Sequence, residues 1–527
     1  MNRRDLLKLS AAALTVGIEP KLNAAPGPTP DREHATVEQW GLFEVSLPGP
    51  AGGNPFKEVT LTAAFTLEHR TVQVTGFYDG EGTYRIRFMP DAPGRWTYKT
   101  ASSAAQLANQ TGAFTVTPPA TPGNHGPVGV AHEFHFQYAD GTPYFPFGTT
   151  TYAYLFTPEV NYKNSLAGML QARFNKSRVC LLPKGLGFDI EKQVLPFPRA
   201  DKVNDLTRFN PAYFQMAEQR ILALQKAGIE ADVILFHPYD AWGYKTMGAE
   251  ADDFYLRYAI ARLGAYRNVW WSIANEYDLI RTKTMSDWDR YFRITVASDP
   301  YSHLRSIHHS GPIYDNTKPW VTHASLQKYD FEKSAERRAA WRMPIIYDEL
   351  QYEGDGPSRW GNLSAEEMTH RFWLAIIHGV YGTHGEVFIS DETGPNAHES
   401  SWSDAGRLRG ESGARIAFLR GVIEKITKVG FNEPAVAYYL NASDPDSTIL
   451  YYFDYHRPAR YDFPLPTNIN FSATLIDPFN MTMTPMPGVF SGRSRIALAN
   501  KPFQAVLFQK VSDNRNGAEA AKPQVMD

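Results

Sequence analysis

A central (β/α)8 (TIM) barrel flanked by two β-sandwiches is the architecture that the 527-residue sequence predicts. Three observations predict it. Short alternating strands broken by turn residues fill the region up to about Pro118, strand and helix patterns then alternate eight times, and a strand-only pattern returns beyond Pro434. The length alone calls for more than one core, because domains usually run to ~100–200 residues and barrels to ~250.

Residues 1–25 read as an export signal. Arg3 and Arg4 precede Leu6, Leu7 and Lys8, and the apolar stretch from Leu9 to Ile18 is too short to span a bilayer. "NRRDLLK" resembles a twin-arginine signal, which implies a periplasmic or extracellular protein. Residues 26–37, rich in proline and polar groups, read as a linker, and 38–120 as the first sandwich. There "TYRIRF" alternates, with Tyr84, Ile86 and Phe88 on one face, and Asp79-Gly80 and Pro93-Gly94 supply turns on either side.

The barrel is expected over 130–432, with strands at "YFPFGTTTY", "NKSRVCLL", "EADVILFHP", "NVWWSIANE", "LRSIHHSG", "WVTHASLQ", "MPIIYDELQ" and "YGTHGEVF". Asn210 and Pro211 open one intervening helix that Gly228 ends, and Ser364 with Glu367 reads as a capping box for another. No glycine-rich phosphate loop follows the first strand, which argues against an open doubly wound sheet. Residues 433–512 carry the second sandwich, and 513–527 read as a disordered tail.

The formal net charge of -3 gives no basic field for nucleic acid or an anionic membrane. The aromatic content of 13%, with 11 Trp and 28 Tyr, suits a protein that handles sugar rings and equally suits large aromatic cores. Cys180 stands alone, inside the apolar run "RVCLL", so it reads as a buried thiol and no internal disulfide can form.

In a (β/α)8 barrel the reactive groups sit at the C-terminal ends of the strands. "WWSIANEYD" runs from a dry strand body onto Asn275 and Glu276, and "MPIIYDE" ends the seventh strand on Glu349. The two glutamates are 349 − 276 = 73 residues apart, three βα units, which sets them across the barrel mouth. Two facing carboxylates are what glycosidic bond cleavage needs, one to protonate the leaving oxygen and one to attack or to activate water. No cofactor is expected. A metal-dependent hydrolase is disfavoured because the first strand carries no histidine, and a non-catalytic carbohydrate-binding protein would not need the carboxylate pair.

Asn-Glu on the fourth strand and Glu on the seventh resemble the clan A glycoside hydrolases, which are retaining barrels. The resemblance implies Glu276 as acid/base, Glu349 as nucleophile and Asn275 as donor to the hydroxyl beside the reacting carbon. "FYDGEGTYRIRFMPDAPGRWTYKT", "FHFQYADGTPYFPFGTTTYA" and "YLRYAIARLGAYRNVWWSIANEYD" are similar to the bacterial apiosidase-like glycoside hydrolases. That family implies an immunoglobulin-like N-terminal module, a small C-terminal sandwich, and a poly- or oligosaccharide substrate of plant or bacterial cell walls. By the same resemblance His237 faces the substrate, and Arg178, His308 and His323 are candidates to hydrogen-bond the nucleophile. The sixth strand lacks the family's tyrosine, leaving His323 as its substitute. The eighth lacks a sugar-stacking tryptophan, leaving Trp402, Trp360 or Trp242 for that platform. Asp348, Asp278, Glu353 and Glu386 are nearby carboxylates to be distinguished from the pair.

Overall fold

A computed structural model of the chain describes residues 35–185, 194–388, 402–432 and 438–511. The expected export signal and C-terminal tail lie outside the described residues. Eight parallel strands form the central sheet: β1 (Phe147–Thr150), β2 (Lys176–Cys180), β3 (Glu230–Phe236), β4 (Val269–Ala274), β5 (Arg305–Ser306), β6 (Ala324–Leu326), β7 (Ile345–Tyr347) and β8 (Tyr381–His384). Each lies within a stretch named from the sequence. They pair in the order β5-β4-β3-β2-β1-β8-β7-β6, which is a barrel open at one seam. At that seam Thr322, just before β6, stands in for a ladder: its N–H donates to Arg305 O at 3.0 Å and its Oγ1 accepts from Arg305 N at 2.7 Å.

Seven helices pack around the strands: α1 (Glu159–Gln171), α2 (Pro211–Lys226), α3 (Ala249–Leu263), α4 (Met285–Ser298), α5 (Ser334–Trp341), α6 (Ala365–Ile377) and α7 (Ser412–Ile426). The expected alternation of strand and helix fails once, because β5 and β6 are joined without a helix. Asn210 caps α2 as expected, its side chain accepting from Ala212 N at 3.2 Å. Ser364 caps α6 through Glu367 N, but the Glu367 carboxylate turns to Arg371 instead of completing a capping box. The complete box is at α4, between Thr284 and Asp287.

Every residue of β3 and β4 is buried, as expected for strands covered by helices on one side and barrel interior on the other. The interior is ionic in its lower part. Lys176 Nζ lies 2.7 Å from both Asp232 Oδ2 and Asp348 Oδ1, and Asp348 also accepts from Ser325 and Thr383 hydroxyls. Burial pushes the Asp348 carboxyl up, but Lys176 and Arg178 outweigh it and hold the group well below the usual carboxylate range.

Below this layer an aromatic floor closes the barrel. The short strands Val128–Ala131, His135–Tyr138 and Pro143–Tyr144 form a cap that places Phe136 with its ring centre 5.4 Å from Trp270 and 5.8 Å from His323. Trp270 is therefore a floor residue. Trp271 faces outward, where its Nε1 donates to Asp299 at 3.0 Å.

The N-terminal domain has a five-stranded and a three-stranded sheet around one aromatic core, in which Phe43 stacks on Phe114 at 3.7 Å and Phe65 on Phe88 at 4.2 Å. Its first strand, Thr36–Glu38, pairs in parallel with Thr111–Thr117, so Thr36 and Val37 belong to the sandwich and not to the linker. Arg87, on the strand Thr83–Phe88, is buried against the barrel and donates to Glu218 of α2 at 2.9 Å. Arg262 of α3 answers it, donating to Glu218 at 2.5 Å and to Asp79 of the sandwich at 2.7 Å. The C-terminal domain pairs a five-stranded and a two-stranded sheet around Phe453, Phe463, Phe471 and Phe508. Its Tyr452 stacks on Trp373 of α6.

Arg262 holds two buried carboxylates from two domains, so Arg262→Met is expected to cost about 3–5 kcal/mol, the usual penalty for stranding a buried charge. Urea denaturation checks the magnitude, and proteolysis between the sandwich and the barrel checks that the loss is at their junction.

Candidate active site

The mouth of the barrel is built from the residues that follow β4, β6 and β7. Asn275 and Glu276 leave β4, Gln327 leaves β6, and Glu349 leaves β7 one residue after Asp348 has turned inward to Lys176. Glu276 takes a left-handed backbone, with φ 45° and ψ 54°, a conformation unfavourable for a residue with a full side chain. Its neighbours fix the turn: Tyr277 N donates to His308 O, and Leu279 N to Glu276 O, both at 3.0 Å.

Gln327 ties the two glutamates together. Its Nε2 donates to Glu276 Oε1 and to Glu349 Oε2, each at 2.8 Å. Those two oxygens therefore lie no more than 2 × 2.8 Å = 5.6 Å apart. The other oxygen of Glu349 accepts from the Tyr152 hydroxyl and lies 3.9 Å from Arg178 Nη1. Tyr152 in turn meets the Tyr352 hydroxyl at 3.0 Å. Burial first, and then the Glu349 charge, push both tyrosines well above their ordinary pKa, so they remain donors.

Arg178 fixes Asn275 as well. A guanidinium only donates, so its 2.9 Å bond identifies the accepting atom as Asn275 Oδ1 and turns the amide nitrogen toward the Tyr239 hydroxyl at 3.3 Å. The Glu276 carboxyl is pushed up to about 7, by burial first and then by the charge of Glu349, with the Gln327 hydrogen bond acting in the opposite direction. The two glutamates share the Gln327 amide and otherwise stand in unlike environments, because only Glu349 also meets a phenol and a guanidinium.

Around them is a cavity of about 840 Å³, lined by Tyr152, Lys184, Tyr239, Tyr352 and Trp360 among others. Lys184 donates to Asp404 at 2.6 Å, with its ammonium 5.2 Å from the ring centres of both Tyr152 and Tyr239. Asp278 stays outside this group and braces the β5 loop by accepting from Ser310 N and Gly311 N. Among the described residues that line it, no set of metal-ligating side chains converges. Among the described residues such a set occurs once, at Glu353, His384 and Glu386, behind the pocket wall.

Several residues expected at the mouth are elsewhere. His323 immediately precedes β6, so it is at the floor between Phe136 and Trp270, and the position just past the far end of that strand is Gln327. His308 is buried in the barrel interior, held neutral by burial and by Arg178, and does not line the cavity. His237 has both ring nitrogens engaged, Nε2 with Leu182 O at 2.9 Å and Nδ1 with Tyr239 N at 3.2 Å. It stacks behind Tyr239 and positions that ring. Trp402 is buried, its Nε1 donating to Thr149 Oγ1 and its ring against Gly168, and Trp242 is buried against Tyr244. Of the three tryptophans only Trp360 lines the cavity. Gln327, Tyr152, Tyr239, Tyr352 and Lys184 were not singled out from the sequence. The signal for Gln327 was its place one residue beyond β6, the same end of the barrel at which Asn275 leaves β4.

Residues 131–428 match the family described as apiosidase-like, catalytic domain. Residues 36–103 and 438–509 match two domains of unknown function, DUF5060 and DUF5605. The crystal structure of a "putative glycoside hydrolase" from Bacteroides vulgatus ATCC 8482 superposes with a TM-score of 0.85 at 36% identity, over 90% of this chain and 100% of that one. A glycoside hydrolase family 5 structure from the same organism superposes at 0.58 with 15% identity, over 77% of this chain and 97% of that one, a likeness of fold alone. No curated protein matches the chain significantly.

Because the Gln327 amide favours the ionised form of Glu276, Gln327→Leu is expected to raise the Glu276 pKa further above 7. Carbon-13 NMR titration of the glutamate carboxyls checks this, and a downward shift would show that the amide acts otherwise.

Proposed function

We propose, from the premise that the chain belongs to the apiosidase-like catalytic-domain family, that this glycosidase is a retaining, clan A-like enzyme with Glu349 as nucleophile and Glu276 as acid/base. The observation that carries the reading is the single Gln327 nitrogen shared by both carboxylates. It keeps those two oxygens within 5.6 Å (2 × 2.8 Å) of each other, which supports the ~5–5.5 Å carboxyl separation of retaining enzymes over the ~6.5–9.5 Å of inverting ones.

In this reading Glu349 attacks the anomeric carbon while Glu276 gives its proton to the departing oxygen. The glycosyl-enzyme ester is then opened by water, whose proton returns to Glu276. The Tyr152 hydroxyl donates to Glu349 and the Arg178 guanidinium lies 3.9 Å from it, and together they orient that carboxyl for attack. Asn275 Nδ2, which Arg178 turns toward the Tyr239 hydroxyl, is in this reading the donor to the hydroxyl next to the reacting carbon, where such a bond strengthens as positive charge develops. Tyr239, Tyr352 and Trp360 offer ring faces to a sugar. The substrate is a plant or bacterial cell-wall poly- or oligosaccharide met outside the cytoplasm. The N-terminal sandwich, read as immunoglobulin-like, acts as a fixed buttress of the barrel.

Product release from a panel of cell-wall polysaccharides and aryl glycosides tests the reading. Glu349→Ala is expected to abolish turnover while keeping substrate binding, and Glu276→Ala to lose roughly 10²–10⁴-fold, least with aryl leaving groups that need no proton. Proton NMR of the first product should show the anomeric configuration of the substrate; the opposite anomer would overturn the retaining mechanism. The pH dependence follows in sign. Glu276 must be protonated to act as acid, so kcat/KM should fall as pH rises through about 7.

A further inference from the structure

Behind the wall that carries Tyr352 and Val387, Glu353 and Glu386 pair side by side as the first residues of two short parallel strands, Glu353–Gly354 and Glu386–Val387. Both carboxylates are buried, and His384 at the end of β8 is fully buried beside them. One ligand atom from each of the three lies within 4.8 Å of the others.

Backbone N–H groups reach the pair: Arg409 N and Gly410 N donate to Glu386 at 2.9 and 3.0 Å, and Glu411 N and Ser412 N to Glu353 at 2.8 and 3.3 Å. The Ser412 hydroxyl also donates to Glu353. These are neutral donors. Among the described residues no lysine or arginine pairs with either glutamate, so two buried carboxyl groups share a small volume with neither side chain among them. A side chain at position 410 would strike Glu353 Oε2 and Glu386 Oε1 at once, so the two oxygens converge on one point beside the glycine.

His384 faces the same point. Its Nε2 lies 3.4 Å from Glu386 Oε1 and 4.0 Å from Glu353 Oε2, and it makes no hydrogen bond with either. On the other side of the ring Nδ1 meets Thr149 Oγ1 at 3.0 Å, a hydroxyl that already accepts from Trp402 Nε1. The Thr149 hydroxyl can accept from Nδ1 or donate to it; in the tautomer with the proton on Nδ1, the one an ion on Nε2 requires, the Nε2 lone pair faces the two carboxyl groups. A metal-ligating histidine is characteristically held in this way, its other ring nitrogen engaged behind it.

We propose that Glu353, His384 and Glu386 bind a divalent transition-metal ion, Zn²⁺ or Mn²⁺, as a structural site. One imidazole with two carboxylates suits such ions better than the all-oxygen sets that Ca²⁺ and Mg²⁺ take. The ion ties the segments after β7 and β8 to the N-terminus of α7, and so braces the wall of the pocket. It takes no part in the reaction, and the proposal does not depend on the roles of Glu276 and Glu349.

The full chain, stripped with EDTA and dialysed, is titrated with ZnCl₂ and MnCl₂, and with CaCl₂ as control, by calorimetry and thermal melting. One ion per chain is expected, with a melting temperature raised by roughly 2–4 °C, and with binding lost in both Glu386→Gln and His384→Gln. Absence of Zn²⁺ and Mn²⁺ binding by the wild-type chain overturns the proposal. So does binding that both variants keep. Should the variants not fold, anomalous diffraction from wild-type crystals grown with ZnCl₂ decides: density among the three side chains supports the site, and density only elsewhere overturns it.

Discussion

Arg178 is the group on which the mouth of this barrel depends. It is fully buried, on the second strand, and its guanidinium lies within 4.0 Å of Asp232, Asp348 and Glu349 while donating to Asn275. Buried charges of this kind seldom add stability over an apolar core, because desolvation offsets most of the attraction. What they give is a single arrangement. Two cations, Lys176 and Arg178, face two aspartates, and Glu349 is the further carboxyl group at the top of the layer. Asn275 is oriented by the same guanidinium, so the groups at the ends of two distant strands share one reference point.

Floor and mouth divide the chemistry of the interior. At the bottom Phe136, Tyr144 and Trp270 pack ring on ring and exclude water. At the top the rings carry hydroxyls, Tyr152, Tyr239 and Tyr352, and each reaches a polar partner in the cluster. The high aromatic content therefore serves both purposes that composition alone could not separate. Most of it goes to three cores, and a small tyrosine-rich set faces the cavity.

The strands and the glutamate pair were legible in the sequence because each is a local pattern: apolar runs of strand length, and carboxylates at their C-terminal ends. What was not legible depends on where a side chain stands along its strand. His323 and Gln327 are four residues apart in one short segment, yet one meets the floor and the other the carboxylates. Polarity alone favours the histidine. Trp402 and Trp242 failed as platforms for a related reason, since a loop tryptophan in sequence carries no sign of whether its ring turns inward. Tyr152 was hidden within "TTTYA", where nothing marks a phenol aimed at a carboxylate more than a hundred residues away in the chain. The missing helix between β5 and β6 went unforeseen because a polar stretch of that length reads equally as helix or loop.

The left-handed backbone at Glu276 bears on how the protein would evolve and how it is best handled. A residue with a side chain is held there at a cost of about 1–3 kcal/mol, which glycine does not incur and asparagine incurs less. The chain therefore trades robustness for a carboxylate at that one place. A lineage released from the need to cleave sugars would be drawn toward glycine or asparagine at 276, gaining thermal tolerance as it lost that carboxylate. For the experimenter the same asymmetry makes Glu276→Gly, rather than Glu276→Ala, the sturdier chain lacking that carboxylate.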